Sequence, residues 1–154
     1  MKRKKRILFL KILFLLVLSI GVSICIKIIF FPDENAKIRK TISMVIDELE
    51  NKNIGDFIKH FTLDYRDCFG NTYGTLYIYL KNNVDMLKSI DIGLGQMEIE
   101  IEKPDATVRF MAKAIVVTSD GEVYKEAGRF VLKMRKEDFR WKIYRLDEME
   151  YNFD

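Results

Sequence analysis

The chain has 154 residues, of which 26 are basic and 23 acidic, and its formal net charge is +3 at neutral pH. This length suffices for one domain with a sizeable core and is too short for two. Residues 1–32 contain seven of the basic side chains and no acidic one, so the remaining 122 residues hold 19 basic against 23 acidic groups, a net of −4. A mildly acidic domain has no electrostatic basis for binding nucleic acid, and we therefore predict no nucleic-acid partner.

The first part of the chain has the pattern of a membrane segment. Residues 7–31, 25 in all, are apolar apart from two lysines, two serines and one glycine. At about 1.5 Å per residue they form a helix of about 37 Å, which spans a hydrocarbon core of about 30 Å. A secretory signal has an apolar region of only about 7–15 residues. We therefore predict a transmembrane helix within residues 1–32, and a bilayer as its partner.

The flanking charges predict the direction of this helix. Five consecutive basic residues, 2–6, precede it, and two acidic residues, Asp33 and Glu34, follow it. By the positive-inside rule the N-terminus stays in the cytoplasm, and residues 33–154 lie outside the cell membrane. This arrangement is typical of a single-pass membrane protein of the bacterial type.

Processing of the segment remains an alternative. Gly21 and Ser23 are small residues at the spacing that signal peptidase requires, so cleavage after Ser23 would release a secreted, soluble domain. Lipidation of Cys25 is disfavoured, because the bulky Ile24 stands where a lipoprotein signal needs a small residue.

Helical patterns fill the next part of the chain. Apolar residues recur at helical spacing between 38 and 49 and predict an amphipathic helix; they are Ile38, Ile42, Val45, Ile46 and Leu49. A second, short helix is expected over 56–61 with Asp56 as its N-cap. Residues 64–71 are predicted to form a loop, and a third helix is expected over 72–87.

The period changes from 3.6 to 2 after Gly93 and Gly95. Met97, Ile99 and Ile101 alternate with three glutamates, which predicts a half-exposed strand. Further strands are expected over 106–118, 123–135 and 139–146, with an Asp-Gly hairpin turn at 119–122. In the last strand Phe139, Trp141 and Ile143 should share a face. Helices followed by long antiparallel strands predict an α+β fold in which helices cover a curved sheet.

Two stretches carry a family resemblance. They are ISMVIDELENKNIGDFIKHF (42–61) and GRFVLKMRKEDFRWKIYRLD (128–147). Their order and spacing resemble the nuclear transport factor 2-like superfamily over roughly residues 36–148, which implies the cystatin-like cone. That superfamily contains isomerases, dehydratases and polyketide cyclases, and also binding and scaffold domains without catalysis. Anchored domains of this kind occur in cell-envelope assemblies such as secretion and conjugation scaffolds.

The resemblance directs attention to polar and aromatic residues at a cone pocket. The pocket candidates are His60, Asp64, Tyr65, Tyr77 and Trp141. His60, the one histidine, is predicted to be a partly exposed helix residue, and the aromatic residues are expected to belong to the core. The alternative is that His60 acts as a general base at the pocket mouth, with the Asp and Tyr groups as acid–base partners.

The residue types present argue against metals and cofactors. With one histidine and two cysteines, the chain lacks the ligand clusters of a transition-metal site, and no phosphate or dinucleotide motif occurs. Cys25 lies in the membrane segment, so no disulfide with Cys68 is expected, and Cys68 is predicted to be a small buried residue.

Three strand arginines suggest a contact face for an envelope protein or a second copy of the chain. Arg109, Arg129 and Arg145 could line one face of the sheet, although a solvated face would look the same. Our leading hypothesis is a membrane-anchored, extracytoplasmic binding or scaffold domain without catalysis. The alternative is a tethered small-molecule binder or an isomerase- or dehydratase-like enzyme. An interior filled by Trp141, Phe110 and Phe130 would argue against the enzyme.

Overall fold

The structure, a computed structural model, describes residues 33–151, and their side chains as far as Asp147. The predicted membrane helix, its direction and the cleavage alternative fall on residues 1–32 and lie outside the described residues. Among residues 33–151, no helix combines the length and the hydropathy that a membrane crossing requires.

Residues 33–151 form three helices and five strands, with the helices mostly before the strands, an α+β order. The helices are α1 (Glu34–Glu50), α2 (Ile54–Phe57) and α3 (Tyr73–Asn83), and single 3-10 turns at Ile58–His60 and Val84–Met86 extend the last two. The strands are β1 (Phe61–Asp67), β2 (Leu87–Glu102), β3 (Asp105–Thr118), β4 (Val123–Glu137) and β5 (Arg140–Tyr151). They form one sheet in the order β1-β5-β4-β3-β2, in which only β1 pairs in parallel. The α+β prediction is confirmed.

Helix α1 packs across the sheet through the apolar stripe that the sequence predicted. Ile38, Ile42 and Val45 are buried. Two polar contacts tie the helix to β2: Arg39 Nη2 donates to the Met97 carbonyl oxygen at 2.9 Å, and the Ile92 N–H donates to Glu50 Oε1 at 2.6 Å. Hydrophobic burial therefore holds the helix against the inner face of the sheet, and the two hydrogen bonds set its position along β2.

The helix boundaries differ slightly from the predictions. The N-cap of α2 is Asn53 rather than Asp56, because the Asn53 side chain accepts from the Asp56 N–H, and Asp56 instead pairs with Lys59. Thr72 caps α3 through a reciprocal capping box with Thr75. Helix α3 ends at Asn83, and the chain enters β2 at Leu87, where the predicted helix still continued.

The predicted loop over 64–71 is wrong for its first half. Residues 61–67 form β1, an edge strand whose register against β5 is irregular between Phe61 and Arg66. Two adjacent residues, Phe61 and Thr62, are both buried while Leu63 is exposed, so the strand lacks the alternation that marks strands in a sequence. The connection that remains is short, and Cys68 lies in it with its thiol exposed, so the prediction of a buried Cys68 is also wrong.

Strand β2 begins earlier than predicted. Gly93 pairs with Lys113 inside the strand, and Gly95 lies in an irregularity of the β2–β3 register between Leu94 and Met97. A Cβ on Gly95 would come within 3.4 Å of Met111 Cβ, so this glycine permits a close approach of the two strands. The two glycines thus belong to a strand and not to turns.

The inner face of the sheet is predominantly apolar and the outer face carries most of the charges. Trp141 and Ile143 are buried on the inner face, as predicted, whereas Phe139 is 91% exposed. Phe139 follows Asp138 in the β4–β5 turn, and both residues have positive φ. The chain therefore enters β5 only at Arg140, and Phe139 never reaches the face that Trp141 occupies.

Candidate functional site

Large apolar side chains pack between the helices and the middle of the sheet. Trp141 is 2% exposed, Met134 is fully buried, and the rings of Phe110 and Phe130 stack with their centroids 5.7 Å apart. All four belong to one core cluster or pack against it, together with Phe61 of β1. In this region the pocket candidate Trp141 is a core residue.

Tyr65 lies in the same core. Its ring meets the Phe61 ring edge-on at 4.9 Å, and its hydroxyl is 3.5 Å from Asp67 Oδ2. Burial raises the pKa of the Tyr65 hydroxyl well above its usual value, and the negative charge of Asp67 raises it further. Tyr65 therefore stays protonated at neutral pH and cannot serve as a base there.

Asp64 points to the opposite side of β1 and is exposed. Its Oδ2 is 3.3 Å from Arg135 Nη1, and Arg135 Nε is 3.3 Å from Asp105 Oδ1. The neighbouring Thr62 side chain lowers the pKa of Asp64, and Arg135 lowers it further. Asp64 is thus an ionised partner in a surface ion-pair cluster.

His60 meets a carboxylate that the sequence did not single out. Its Nε2 lies 3.0 Å from Glu48 Oε2, and both side chains are mostly buried between α1 and the 3-10 turn at Ile58–His60. Tyr77 lies on α3, half-buried, with Lys81 Nζ 5.6 Å from its ring centre. The structure therefore pairs His60 with Glu48 and does not bring it together with Asp64.

An open pocket lies elsewhere, in a place that the sequence did not indicate. We call it the hairpin groove: a depression of about 710 Å³ between the end of α3, the start of β2 and the β3–β4 hairpin. Its described lining is Leu49, Tyr79, Leu80, Asn83, Val84, Asp85, Met86, Leu87, Ile90, Thr118, Ser119, Asp120, Glu122 and Tyr124. None of the five pocket candidates is in this set.

Hydrogen bonds hold the walls of the hairpin groove together. The Ser119 N–H donates to the Met86 carbonyl oxygen at 2.8 Å, and Ser119 Oγ donates to the Asp85 carbonyl oxygen at 3.4 Å. Lys52 Nζ donates to the Leu87 carbonyl oxygen. The predicted hairpin turn is confirmed, and Gly121 in it has a φ of +93°, which favours glycine. The hairpin is thereby fixed to the 3-10 turn that extends α3.

The hairpin groove combines an apolar floor with an acidic rim. Five aliphatic residues form the floor, and Tyr79, Met86 and Tyr124 are large side chains that are 64%, 56% and 52% exposed. The charged side chains among the described lining residues are Asp85, Asp120 and Glu122.

Two of these rim carboxylates accept short local hydrogen bonds. The Thr118 hydroxyl donates to Asp120 and lowers its pKa, and the Tyr124 hydroxyl donates to Glu122, which raises the pKa of Tyr124. Nothing in the turn motif alone indicated that this rim borders a pocket, although the Ile90–Leu94 alternation could have identified the strand beneath it.

A second hollow of about 600 Å³ lies on the outer face of the sheet. Arg109 and Arg129 line it beside Met111 and Lys113, and Arg109 Nη1 is 3.3 Å from Glu100 Oε2. The third predicted arginine, Arg145, is not in the described lining and pairs instead with Asp147. Two of the three predicted arginines, Arg109 and Arg129, thus line the same hollow.

Metal ligation finds no support in the described part of the chain. Across residues 33–147, no three His, Cys, Asp or Glu side chains gather as a metal ion would require. The rim of the hairpin groove is therefore acidic without forming a cluster of that kind.

Comparisons with known proteins find similar structures but no matching family model and no matching curated protein. A scan against protein-family models finds no match, and a search of curated proteins finds none either. Among solved structures, a candidate scytalone dehydratase from Novosphingobium aromaticivorans matches with a TM-score of 0.73 at 16% identity, over 78% of this chain and 85% of that one. A candidate aromatic ring hydroxylase from the same organism matches with a TM-score of 0.70 at 17% identity, over 77% of this chain and 89% of that one.

A third solved structure names the fold itself. A Nostoc punctiforme protein of unknown function, described as having a cystatin-like fold, matches with a TM-score of 0.60 at 13% identity, over 77% of this chain and 91% of that one. Similarity at these identities concerns the fold and not the activity. The chain therefore has the helix-on-curved-sheet, cystatin-like fold that the sequence resemblance implied.

Proposed function

We propose that this protein is a membrane-anchored, extracytoplasmic binding module that takes an apolar small molecule into the hairpin groove without catalysing a reaction. The observation that carries the proposal is an open, apolar-floored groove of about 710 Å³ beside a core of buried side chains. Small-molecule sites have volumes of about 300–1,000 Å³ and are lined mainly by apolar and aromatic groups.

The placement of the acid–base residues favours binding over catalysis. His60 and Glu48 pair in the helical layer, and neither lines the groove. Tyr65 is buried with a raised pKa, and Asp64 is ionised on another surface. The enzyme alternative draws on the named activities of two structural neighbours, and it would need one of these groups to reach a ligand.

The anchor is part of the same proposal. The length of the 7–31 apolar run and the basic residues before it support a single-pass helix within 1–32, which holds the domain 33–154 outside the cell membrane. Protease added to intact spheroplasts should digest 33–154, and protection of this domain would contradict the orientation. Mass spectrometry of the purified protein should find an intact N-terminus, whereas a chain beginning at Ile24 would support the secreted alternative.

The groove can be tested with the full chain in lipid nanodiscs and ¹³C-labelled methionine methyl groups. Met86 is inside the groove, and Met111 on the outer sheet face reports on unspecific effects. The neutral probe 3-tert-butylphenol should shift the Met86 methyl signal in a saturable way and leave Met111 unchanged. For so small a ligand we expect a Kd on the order of 1 mM.

A pair of neighbouring substitutions supplies the control. Asn83 lines the groove and Asn82 does not, so Asn83→Trp should obstruct probe binding and Asn82→Trp should leave it intact. An unresponsive Met86 signal, or equal effects of the two substitutions, would contradict the binding function. Formation of a new product from added apolar substrates would favour the enzyme.

A second candidate function is protein contact through the outer face of the sheet. The outer hollow, with Arg109, Arg129 and Lys113 beside the exposed Met111, supports an envelope protein or a second copy as the partner. Light scattering of the detergent-solubilised chain should show an assembly that the combined substitutions Arg109→Glu and Arg129→Glu disrupt. A monomer that co-purifies with no other protein would argue against this contact.

A further inference from the structure

The charged side chains in the described lining of the hairpin groove are all negative. Asp85 follows the end of α3, and Asp120 and Glu122 belong to the hairpin turn, so carboxylates come from two opposing walls. The described lining contains no Lys, Arg or His. One cation touches a wall: Lys52, whose Nζ is engaged by the Leu87 carbonyl oxygen. The rim therefore has an excess of negative charge at neutral pH.

Aromatic rings accompany these carboxylates. Tyr79 and Tyr124 line the groove, and each is more than half exposed. The Tyr124 hydroxyl donates to Glu122, which couples an aromatic ring to a rim carboxylate. Exposed rings near carboxylates attract organic cations, because the ring face and the carboxylate both carry negative potential.

The floor beneath the rim is aliphatic. Leu49, Leu80, Val84, Leu87 and Ile90 supply it, and Val84 is nearly buried. A hydrated metal ion would gain nothing from such a floor, and no cluster of three potential metal ligands occurs within residues 33–147. A ligand that satisfies floor and rim together needs an apolar body and a positive group.

We propose that the hairpin groove selects small organic cations with an apolar body, such as aryl or alkyl quaternary ammonium compounds. This proposal rests on the proposed function, since it names the ligand class of the same groove. A groove of about 710 Å³ accommodates a small molecule of this kind.

A pair of isosteric probes separates the two proposals. 3-Hydroxyphenyl-trimethylammonium and 3-tert-butylphenol share their shape and differ by one positive charge. With the full chain in nanodiscs of uncharged lipid, both should shift the Met86 methyl signal, and the cation should bind about tenfold more tightly at low salt. The advantage should shrink as salt rises, because the rim is exposed.

Charge-removing variants test whether the rim is responsible. The combined substitutions Asp85→Asn, Asp120→Asn and Glu122→Gln should remove most of the advantage in affinity that the cation has over the phenol at Met86. The matched control is Asp91→Asn, Glu98→Gln and Glu100→Gln, which removes the same charge from β2 residues outside the described lining of the groove. This control should preserve at least most of the tenfold advantage.

The outcomes distinguish the two proposals. Equal affinities for the two probes at Met86 would overturn the selection of cations and leave the binding function standing. Loss of the advantage in the control variant would also overturn it, because bulk charge would then be the cause. A Met86 methyl signal that shifts with neither probe would overturn the binding function itself.

Discussion

The two ends of the inner sheet face differ in how completely they are covered. Around Met134, Trp141 and Ile143, at the end that carries β1, the inner face is sealed, with exposures of 0–2%. At the hairpin end, Tyr124 of β4 pairs with Val116 of β3 and is 52% exposed. One continuous sheet thus has a closed end that stabilises the fold and an open end that is available to a ligand. We expect substitutions at the closed end to lower the stability of the domain and substitutions at the open end to weaken ligand binding.

Trp141→Ala should have the largest effect on stability. Removal of this buried ring leaves a cavity that the neighbouring side chains cannot fill, and we expect the free energy of unfolding to fall by about 3–5 kcal/mol. Urea unfolding of the full chain in mild detergent, followed by circular dichroism, measures the change without needing the lost fluorophore.

Phe139→Ala is the matched control, two residues away and 91% exposed. Its effect should stay within about 0.5 kcal/mol. If the two substitutions lowered the free energy of unfolding by similar amounts, the closed end would not be the part of the domain that stabilises it.

Tyr65→Phe should change how stability depends on alkaline pH. Burial raises the pKa of Tyr65 in the folded state, so its contribution is fully present below the unfolded pKa of about 10 and is lost as the pH rises further. Between pH 10 and the folded-state pKa, the wild-type chain should lose about 1.4 kcal/mol per pH unit through this group. The variant should lack this loss.

The measurement compares unfolding free energies of the two chains at pH 8 and pH 11. Other tyrosines titrate in both chains, so only the difference between the chains reports on Tyr65. Identical losses in the two chains would show that the hydroxyl of Tyr65 is not buried as the structure has it.

Tyr79→Ala should have the smallest effect on stability and a clear effect on binding. The Tyr79 ring is 64% exposed in the hairpin groove, and its removal should change the unfolding free energy by no more than about 0.5 kcal/mol. Tyr77→Ala, two residues earlier on α3, removes a ring that packs against the core and should cost more. A large loss of stability from Tyr79→Ala would mean that the open end also supports the fold.

Sequence periodicity predicted the parts of this fold in which one face is buried and the other is solvated. The α1 stripe and the alternation of Met97, Ile99 and Ile101 with three glutamates are of this kind, and both elements are present. Strand β1 was not predicted, because an edge strand with an irregular register lacks the alternation of buried and exposed residues. The start of β2 was predicted too late in the chain, because Gly93 and Gly95 are of a residue type that favours turns.

The candidate site was harder to predict, because it depends on distant segments. Asp85, Asp120 and Glu122 belong to two turns that are more than 30 residues apart in the chain, and the pairing of β2 with β3 and the contact between Ser119 and Met86 bring them to one groove. Likewise, no pattern in the sequence indicated that His60 would meet Glu48 instead of Asp64.

The sequence by itself determined the α+β order of helices and strands, the strongly basic and apolar character of residues 1–32, and the residue types that make up the core. These follow from local periodicity and composition, which act over a few residues. Only the tertiary structure decided which end of the sheet is closed and which is open. That outcome depends on where α1 and α3 end above the sheet, and such a placement arises from packing between segments that the sequence order does not relate.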